Sequence, residues 1–159
     1  LPLGKLQNGA RHVQLSRLRG EEVALPEGGV LINDCYNANP LSMAAALEHL
    51  QQRAGNARKV AVLGDMAELG AGAPVYHREV GAGAARAGVD VLVAVGPLSR
   101  GYVQGARGVQ VTRWAPTVEQ GLAALRGVLR PGDYVLVKGS RAMGLEVIAE
   151  AVAVVPAEA

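Results

Sequence analysis

Three short stretches carry most of the side chains able to do chemistry. The first, LINDCYNANP (31–40), brings Asp34, Tyr36, Asn37 and Asn39 together at the end of an apolar run. A carboxylate accepts hydrogen bonds, while a phenol and two amides both donate and accept, so the group suits a ligand rich in hydrogen-bonding atoms. Part of it has a local explanation, since Asn39 is a good helix N-cap and Pro40 suits a first helical turn. The second, GDMAELG (64–70), holds Asp65 and Glu68, an acid pair that also resembles a capping box. The third, KGSRAMGLE (138–146), opens with Lys138, Ser140 and Arg141. Two acids at one place and two cations at another make a site for a zwitterion, or for a phosphate with its metal. The local alternatives are a strand-end lysine, a capping serine and a surface arginine.

Other polar residues carry less. His12, His49 and His77 have no metal-ligand spacing, so no metal site is assigned. His12 and His49 read as surface residues, and His77 as a partly buried helical residue or a ligand. Cys35 has no obvious base beside it and reads as a packing residue. The run from Gly81 to Arg86, GAGAAR, starts like a dinucleotide fingerprint but falls inside a helical pattern with no strand before it. No G-x-x-x-x-G-K-[ST] stretch is present, so any ATP phosphates must be held elsewhere.

The three stretches must be positioned by the elements around them. Short apolar runs recur at Val30–Ile32, Lys59–Leu63, Val89–Val95, Val109–Trp114 and Tyr134–Val137, each bounded by Gly, Pro or polar residues. They read as strands buried on both faces. Met43, Ala46, Leu47 and Leu50 share a helical face, as do Val118, Leu122, Leu125 and Leu129; 145–155 has the same period. Strand alternating with helix predicts an α/β fold with a doubly wound, mostly parallel sheet. His12–Leu18 and Glu21–Leu25, flanking Arg19-Gly20, predict an antiparallel N-terminal hairpin. Parallel crossovers would place all the polar stretches on one edge, beyond the carboxyl ends of the strands, where ligands bind in such sheets.

Composition narrows the class. The 159 residues suit one domain; half are hydrophobic, only 3% are aromatic and none is Phe, so the core is Val, Leu, Ile and Ala. Sixteen basic and 14 acidic residues are scattered, with no stripe to track a nucleic acid. One cysteine forms no internal disulfide, and no apolar run is long enough to span a membrane, which leads us to expect a cytoplasmic protein. The chain starts at Leu1 without Met, and residues 1–9 read as a linker, so a piece of a longer protein is expected.

In order and spacing, DCYNANP, VAVLGDMAELG with a following His77, VLVAVG and YVLVKGSRAMGLE resemble the C-terminal domain of the Mur ligases, and within them the D-alanyl-D-alanine-adding branch. The resemblance covers Gly29–Glu146 and implies a Rossmann-like domain over 10–155, a linker at 1–9 from a missing ATPase domain, and a tail at 156–159. It implies ATP and Mg2+, held mainly by that missing domain, with D-alanyl-D-alanine and UDP-N-acetylmuramoyl-tripeptide as substrates and amide formation through an acyl phosphate. The piece alone is then expected to be inactive, and a monomer. Asp34 matches an acid that contacts the ATP ribose, and Arg11 lies near the family's nucleotide-contacting Arg. Tyr36, Asn37 and Asn39 fall in the loop facing nucleotide and dipeptide. Asp65 and Glu68 would hold the dipeptide ammonium; Lys138, Ser140 and Arg141 its carboxylate or the departing phosphate, with Lys138 the possible catalytic group. The alternatives are a stand-alone nucleotide- or amino-acid-binding α/β module, or a folylpolyglutamate-type ligase, whose loop reads more like DGAHNP.

Overall fold

The structure, a computed structural model, describes residues 19–154. Among the described residues there are six strands: β1 (Glu21–Ala24), β2 (Val30–Asp34), β3 (Lys59–Gly64), β4 (Val91–Val95), β5 (Val111–Ala115) and β6 (Tyr134–Lys138). Four of the five described helices lie between strands, α1 (Pro40–Ala54), α2 (Ala73–Arg86), α3 (Arg100–Gly105) and α4 (Val118–Val128), and α5 (Glu146–Ala153) follows β6. The sequence KVAVLG of β3 and VLVAV of β4 are buried at every position, as continuous apolar strands of a covered parallel sheet must be.

The strand order is β1-β2-β6-β3-β4-β5, with every pair parallel except β1 and β2. The expected antiparallel edge is present. His12–Leu18, the anticipated partner of β1, lies outside the described residues, as do Arg11, the 1–9 linker and the 156–159 tail. Within the described residues β1 pairs with β2 itself, Glu21 opposite Asn33. The turn is Leu25–Gly29, closed by Gly28 N–H to the Leu25 carbonyl and Leu25 N–H to the Gly29 carbonyl at 3.1 Å each. Gly29 has φ 87°, and a Cβ there would collide with the Asp133 backbone, so the turn needs glycine on both counts.

From β2 the chain advances through β3 and β4 to β5, laying α1, α2 and α3 on one face. Met43, Leu47, Leu50, Val80, Ala84 and Tyr102 form that core. It then returns through α4 to insert β6 between β2 and β3, and α4 and α5 cover the other face with Leu125, Ile148 and Ala149. Opposite directions of right-handed crossover require opposite faces. The exit of β6 therefore turns one way while the exits of its neighbours β2 and β3 turn the other, opening a crevice at the end of β6. The Gly81 of GAGAAR is no nucleotide loop: it lies in α2 where α3 crosses, and a Cβ there would strike the Tyr102 carbonyl.

Candidate active site at the end of strand β6

Asp34 and Lys138 end adjacent parallel strands and lie in register. Lys138 Nζ donates to Asp34 Oδ2 at 3.0 Å and to the Asn37 carbonyl at 2.8 Å. The lysine is 3% exposed, whereas the Asp34 side chain keeps 22%. This is no ordinary strand-end lysine: an ammonium leaves water only where a carboxylate and a carbonyl replace its hydration. Its carbonyl contact also pins the first turn of the DCYNANP loop.

The other residues of that loop divide between structure and cleft. Asn39 accepts the Ser42 N–H at 2.8 Å, and Ser42 Oγ accepts the Asn39 N–H at 3.0 Å, the reciprocal box that starts α1. Asn37 Oδ1 accepts the Ala38 N–H at 2.8 Å. Tyr36 lies under the Arg19 guanidinium, 3.9 Å from ring centre to Cζ. Asp34, Tyr36, Asn37, Asn39 and Lys138 all line one cleft of about 500 Å³, which Arg19, Ser42 and His49 complete. None of those last three is singled out by the sequence. Ser42 sits at the third helical position expected of a capping partner, but an arginine stacked across a strand end has no signature along the chain.

Asp65 and Glu68 do not cap anything. Helix α2 starts only at Ala73, after the 3-10 turn Gly70–Gly72, and its N-cap Gly72 makes no side-chain bond. Asp65 is 7% exposed and its Oδ1 has no hydrogen-bond partner. Burial raises its pKa above the usual carboxylate range; hydrogen bonds from the Leu98 and Ser99 amides partly oppose this. Glu68 points the other way in environment, exposed, with a backbone φ of 62° that a non-glycine residue adopts only under local constraint. The two acids are thus an inner and an outer group rather than a pair.

The exits of β3 and β6 are joined directly, because the Ser140 N–H donates to the Asp65 carbonyl at 3.0 Å. Ser140 is buried and precedes the 3-10 turn Arg141–Met143 without capping it through its hydroxyl. Arg141 is exposed and bonds through Nη1 to Glu146 Oε1 at 2.6 Å. Glu146 Oε2 is buried without a partner. Sequence reading gave Glu146 no role, although an acid in the first turn of a helix, five residues after an arginine, is a readable sign.

Cys35 behaves as packing. Burial, followed by the charges of Glu146 and Asp34, pushes its thiol up to about 12, and Sγ contacts the Val137 carbonyl at 3.5 Å. His77 is fully rather than partly buried, its Nε2 accepting the Met66 N–H at 3.0 Å. His49 contacts Glu22 at 3.2 Å on the surface. Among the described residues no three His, Cys, Asp or Glu side chains come together as metal ligands.

Residues 18–141 match the family model described as Mur ligase, glutamate ligase domain. The UDP-N-acetylmuramoyl-tripeptide--D-alanyl-D-alanine ligase of Mycobacterium tuberculosis (strain ATCC 25618 / H37Rv) is 41% identical over 158 residues, covering 86% of this chain and 31% of that protein. The Bacillus subtilis (strain 168) protein of the same name is 34% identical over 143 residues, 88% of this chain and 31% of its own length. Among solved structures, MurF from Acinetobacter baumannii superposes with a TM-score of 0.75 at 30% identity, over 84% of this chain and 30% of that one. MurF ligase from Thermotoga maritima in complex with ADP gives 0.70 at 25% identity, again over 84% and 30%. The chain spans about a third of the length of the curated relatives it matches.

Proposed function

The chain belongs to the Mur ligase family, as its glutamate ligase domain, and we propose that it serves an ATP-dependent ligase joining D-alanyl-D-alanine to UDP-N-acetylmuramoyl-tripeptide. The observation that carries this reading is the crevice at the end of β6. There the Lys138–Asp34 pair and the buried Asp65, whose Oδ1 has no partner, stand at the ends of neighbouring strands, linked through the Ser140 N–H. Two of its faces have different chemistry. The Asp34 side offers a carboxylate, a stacked Arg19–Tyr36 pair and amides, which suits the hydroxyls and flat base of a nucleoside. The Asp65–Ser140–Arg141 side offers an inner carboxylate and an outer guanidinium, which suits a zwitterion.

In the intact ligase the tripeptide carboxylate becomes an acyl phosphate at the expense of ATP. The dipeptide amine then attacks that carbonyl through a tetrahedral intermediate, the new amide forms and phosphate leaves. This domain's task is alignment. Asp65 binds the dipeptide ammonium, and a carboxylate made more basic by burial is the better partner for it. Ser140 and Arg141 hold the dipeptide carboxylate, with Glu68 as the outer acid at the entrance. Lys138 acts through Asp34, fixing the carboxylate that contacts the ribose; Arg11 keeps its expected nucleotide-contacting role, and Arg19, stacked on Tyr36, adds a second cation to it. Tyr36 and Asn37 face the nucleotide, and Asn39 serves mainly as the cap of α1. Mg2+ would be held with the ATP phosphates, mainly by the rest of the ligase, and would neutralise their charge.

Delivery of the amine by a closing domain accounts for a further feature. Leu41, Val75, Tyr76, Leu98 and Val147 are large apolar residues at 41–83% exposure. All lie at starts of helices or at the β4 exit, on the edge that bears the site. Apolar side chains gathered on one edge imply a covering surface, which we assign to the rest of the ligase, connected through residues 1–9. We place the reaction in the cytoplasm with a monomeric enzyme; no described helix is long and apolar enough to cross a membrane.

The test is ADP release by the full-length protein with Mg2+ and UDP-N-acetylmuramoyl-tripeptide, on adding D-alanyl-D-alanine or glutamate. Release triggered by the dipeptide alone, with an acceptor KM raised at least about tenfold in Asp65→Asn, is expected from the loss of one charge-assisted bond. Release triggered by glutamate would move the protein to another branch of the superfamily. Release with neither would leave a binding module.

A further inference from the structure

His77 touches neither cleft wall, yet both of its ring nitrogens are committed. Nδ1 lies 2.6 Å from the Ala73 carbonyl oxygen, which can only accept, so Nδ1 carries the proton. Nε2 is then an unprotonated acceptor and takes the Met66 N–H at 3.0 Å. The ring is 0% exposed and packs against Tyr102 with centroids 4.8 Å apart and planes tilted by 42°. The Tyr102 hydroxyl in turn donates to the Gly64 carbonyl at 2.7 Å.

The Met66 N–H and the Asp65 carbonyl belong to one planar peptide group. That carbonyl accepts the Ser140 N–H. One rigid plane therefore connects a buried ring in α2 to the exit loop of β6, and hydrogen bonds in such a chain polarise and strengthen one another. With Gly64 held on one side by Tyr102 and Met66 on the other by His77, the backbone of Asp65 has little freedom. Its carboxylate, nine-tenths buried and without a partner on Oδ1, lies against Gly96 at the β4 exit beside the Leu98 and Ser99 amides, and it leaves from a backbone that those bonds fix.

We propose that His77, in its neutral Nδ1–H form, is a positioning residue for the amine acceptor: through the Asp65–Met66 peptide plane it sets both the Asp65 carboxylate and the Ser140–Arg141 turn. The inference rests on the reading of Asp65 and Ser140 as acceptor-binding groups, and extends it to a residue that meets no substrate. A purely packing role would need only the ring's volume. Positioning needs the acceptor at Nε2, and the two separate by substitution. Gln places an oxygen near the Nε2 position, Leu fills space without an acceptor, and Asn is too short to reach the Met66 N–H.

The experiment uses the full-length ligase with His77→Leu, His77→Gln and His77→Asn. For Leu and Asn, the D-alanyl-D-alanine KM should rise about tenfold, the loss expected for one hydrogen bond that orients a charged group, while the KM values for ATP and UDP-N-acetylmuramoyl-tripeptide stay within about twofold. Hydrogen exchange of the peptide over residues 139–145 should speed up by a similar factor of about ten. Gln should restore both readouts to within about threefold of the parent. If Leu fails to fold, the Gln and Asn pair makes the same comparison. Equal behaviour of Gln and Asn, or a KM rise shared by all three substrates, would overturn the proposal. Turnover of the parent enzyme that ignores D-alanyl-D-alanine would defeat the acceptor-site reading instead, and exchange at 139–145 would still show whether His77 governs that loop.

Discussion

Lys138→Met removes the ammonium while keeping most of the buried stem, and paired with Asp34→Asn it separates the ion pair from the contact to the Asn37 carbonyl. At 3.0 Å, two unit charges in an effective dielectric of about 20 attract by roughly 5.5 kcal/mol. Against this stands the cost of taking the ammonium out of water, several kcal/mol in a folded protein. Removing one partner from a fully buried pair costs about 3–5 kcal/mol, because the other charge is stranded. Here the Asp34 side chain retains 22% exposure and regains some water, so a loss of about 2 kcal/mol is expected. In an Asp34→Asn background no carboxylate remains to be stranded, and the same Lys138→Met change should cost close to nothing. Urea unfolding of the parent, both single variants and the double variant measures this directly as a coupling energy of about 2 kcal/mol. Thermal melts should show a fall of about 4–8 °C for Lys138→Met alone. An equal cost of Lys138→Met in both backgrounds would refute the reasoning, since the lysine would then act through packing and its contact to the Asn37 carbonyl.

Two further outcomes follow from buried titratable groups. Burial raises the Asp65 pKa, so the folded state holds that proton more tightly than the unfolded chain, and the ionised form costs stability above the unfolded pKa. Asp65→Asn should therefore stabilise the chain at neutral pH, with the gain disappearing as the pH falls below the unfolded carboxylate pKa of about 4; urea midpoints across pH check it, and a gain that does not vary with pH would count against it. Cys35, pushed up to about 12, has about one thiolate in ten thousand at pH 8. A disulfide reagent should label it only as fast as the chain unfolds, and rapid native-state labelling would contradict its burial.

Much of this architecture follows from local chemistry along the chain. The runs that become β3, β4 and β6 are short and apolar between turn residues. The 3.6-residue spacing of Met43, Leu47 and Leu50 makes α1, and Asn39-Pro40 starts it. Those features depend on neighbours within one or two turns, so residue type and spacing suffice to read them. The polar stretches at strand exits likewise point to the site edge, because alternation of strand and helix forces parallel crossovers; it is the motifs themselves that resemble the Mur ligase family. Other features come only from the folded chain. Asp34 and Lys138 are 104 residues apart and meet because β6 inserts between β2 and β3. Nothing local distinguishes that strand order from β6 at an edge; the choice lies in how two helical layers cover both faces at once. The same nonlocal packing stacks Arg19 on Tyr36, turns Asp65 inward while Glu68 faces water, and joins His77 to Ser140 through one peptide plane. It also gives β1 its pairing with β2 through the Leu25–Gly29 turn, where glycine fits against the backbone of a strand entered a hundred residues later. Burial, and with it every shifted pKa at this edge, is a property of the assembled layers, and so only the tertiary structure decides it.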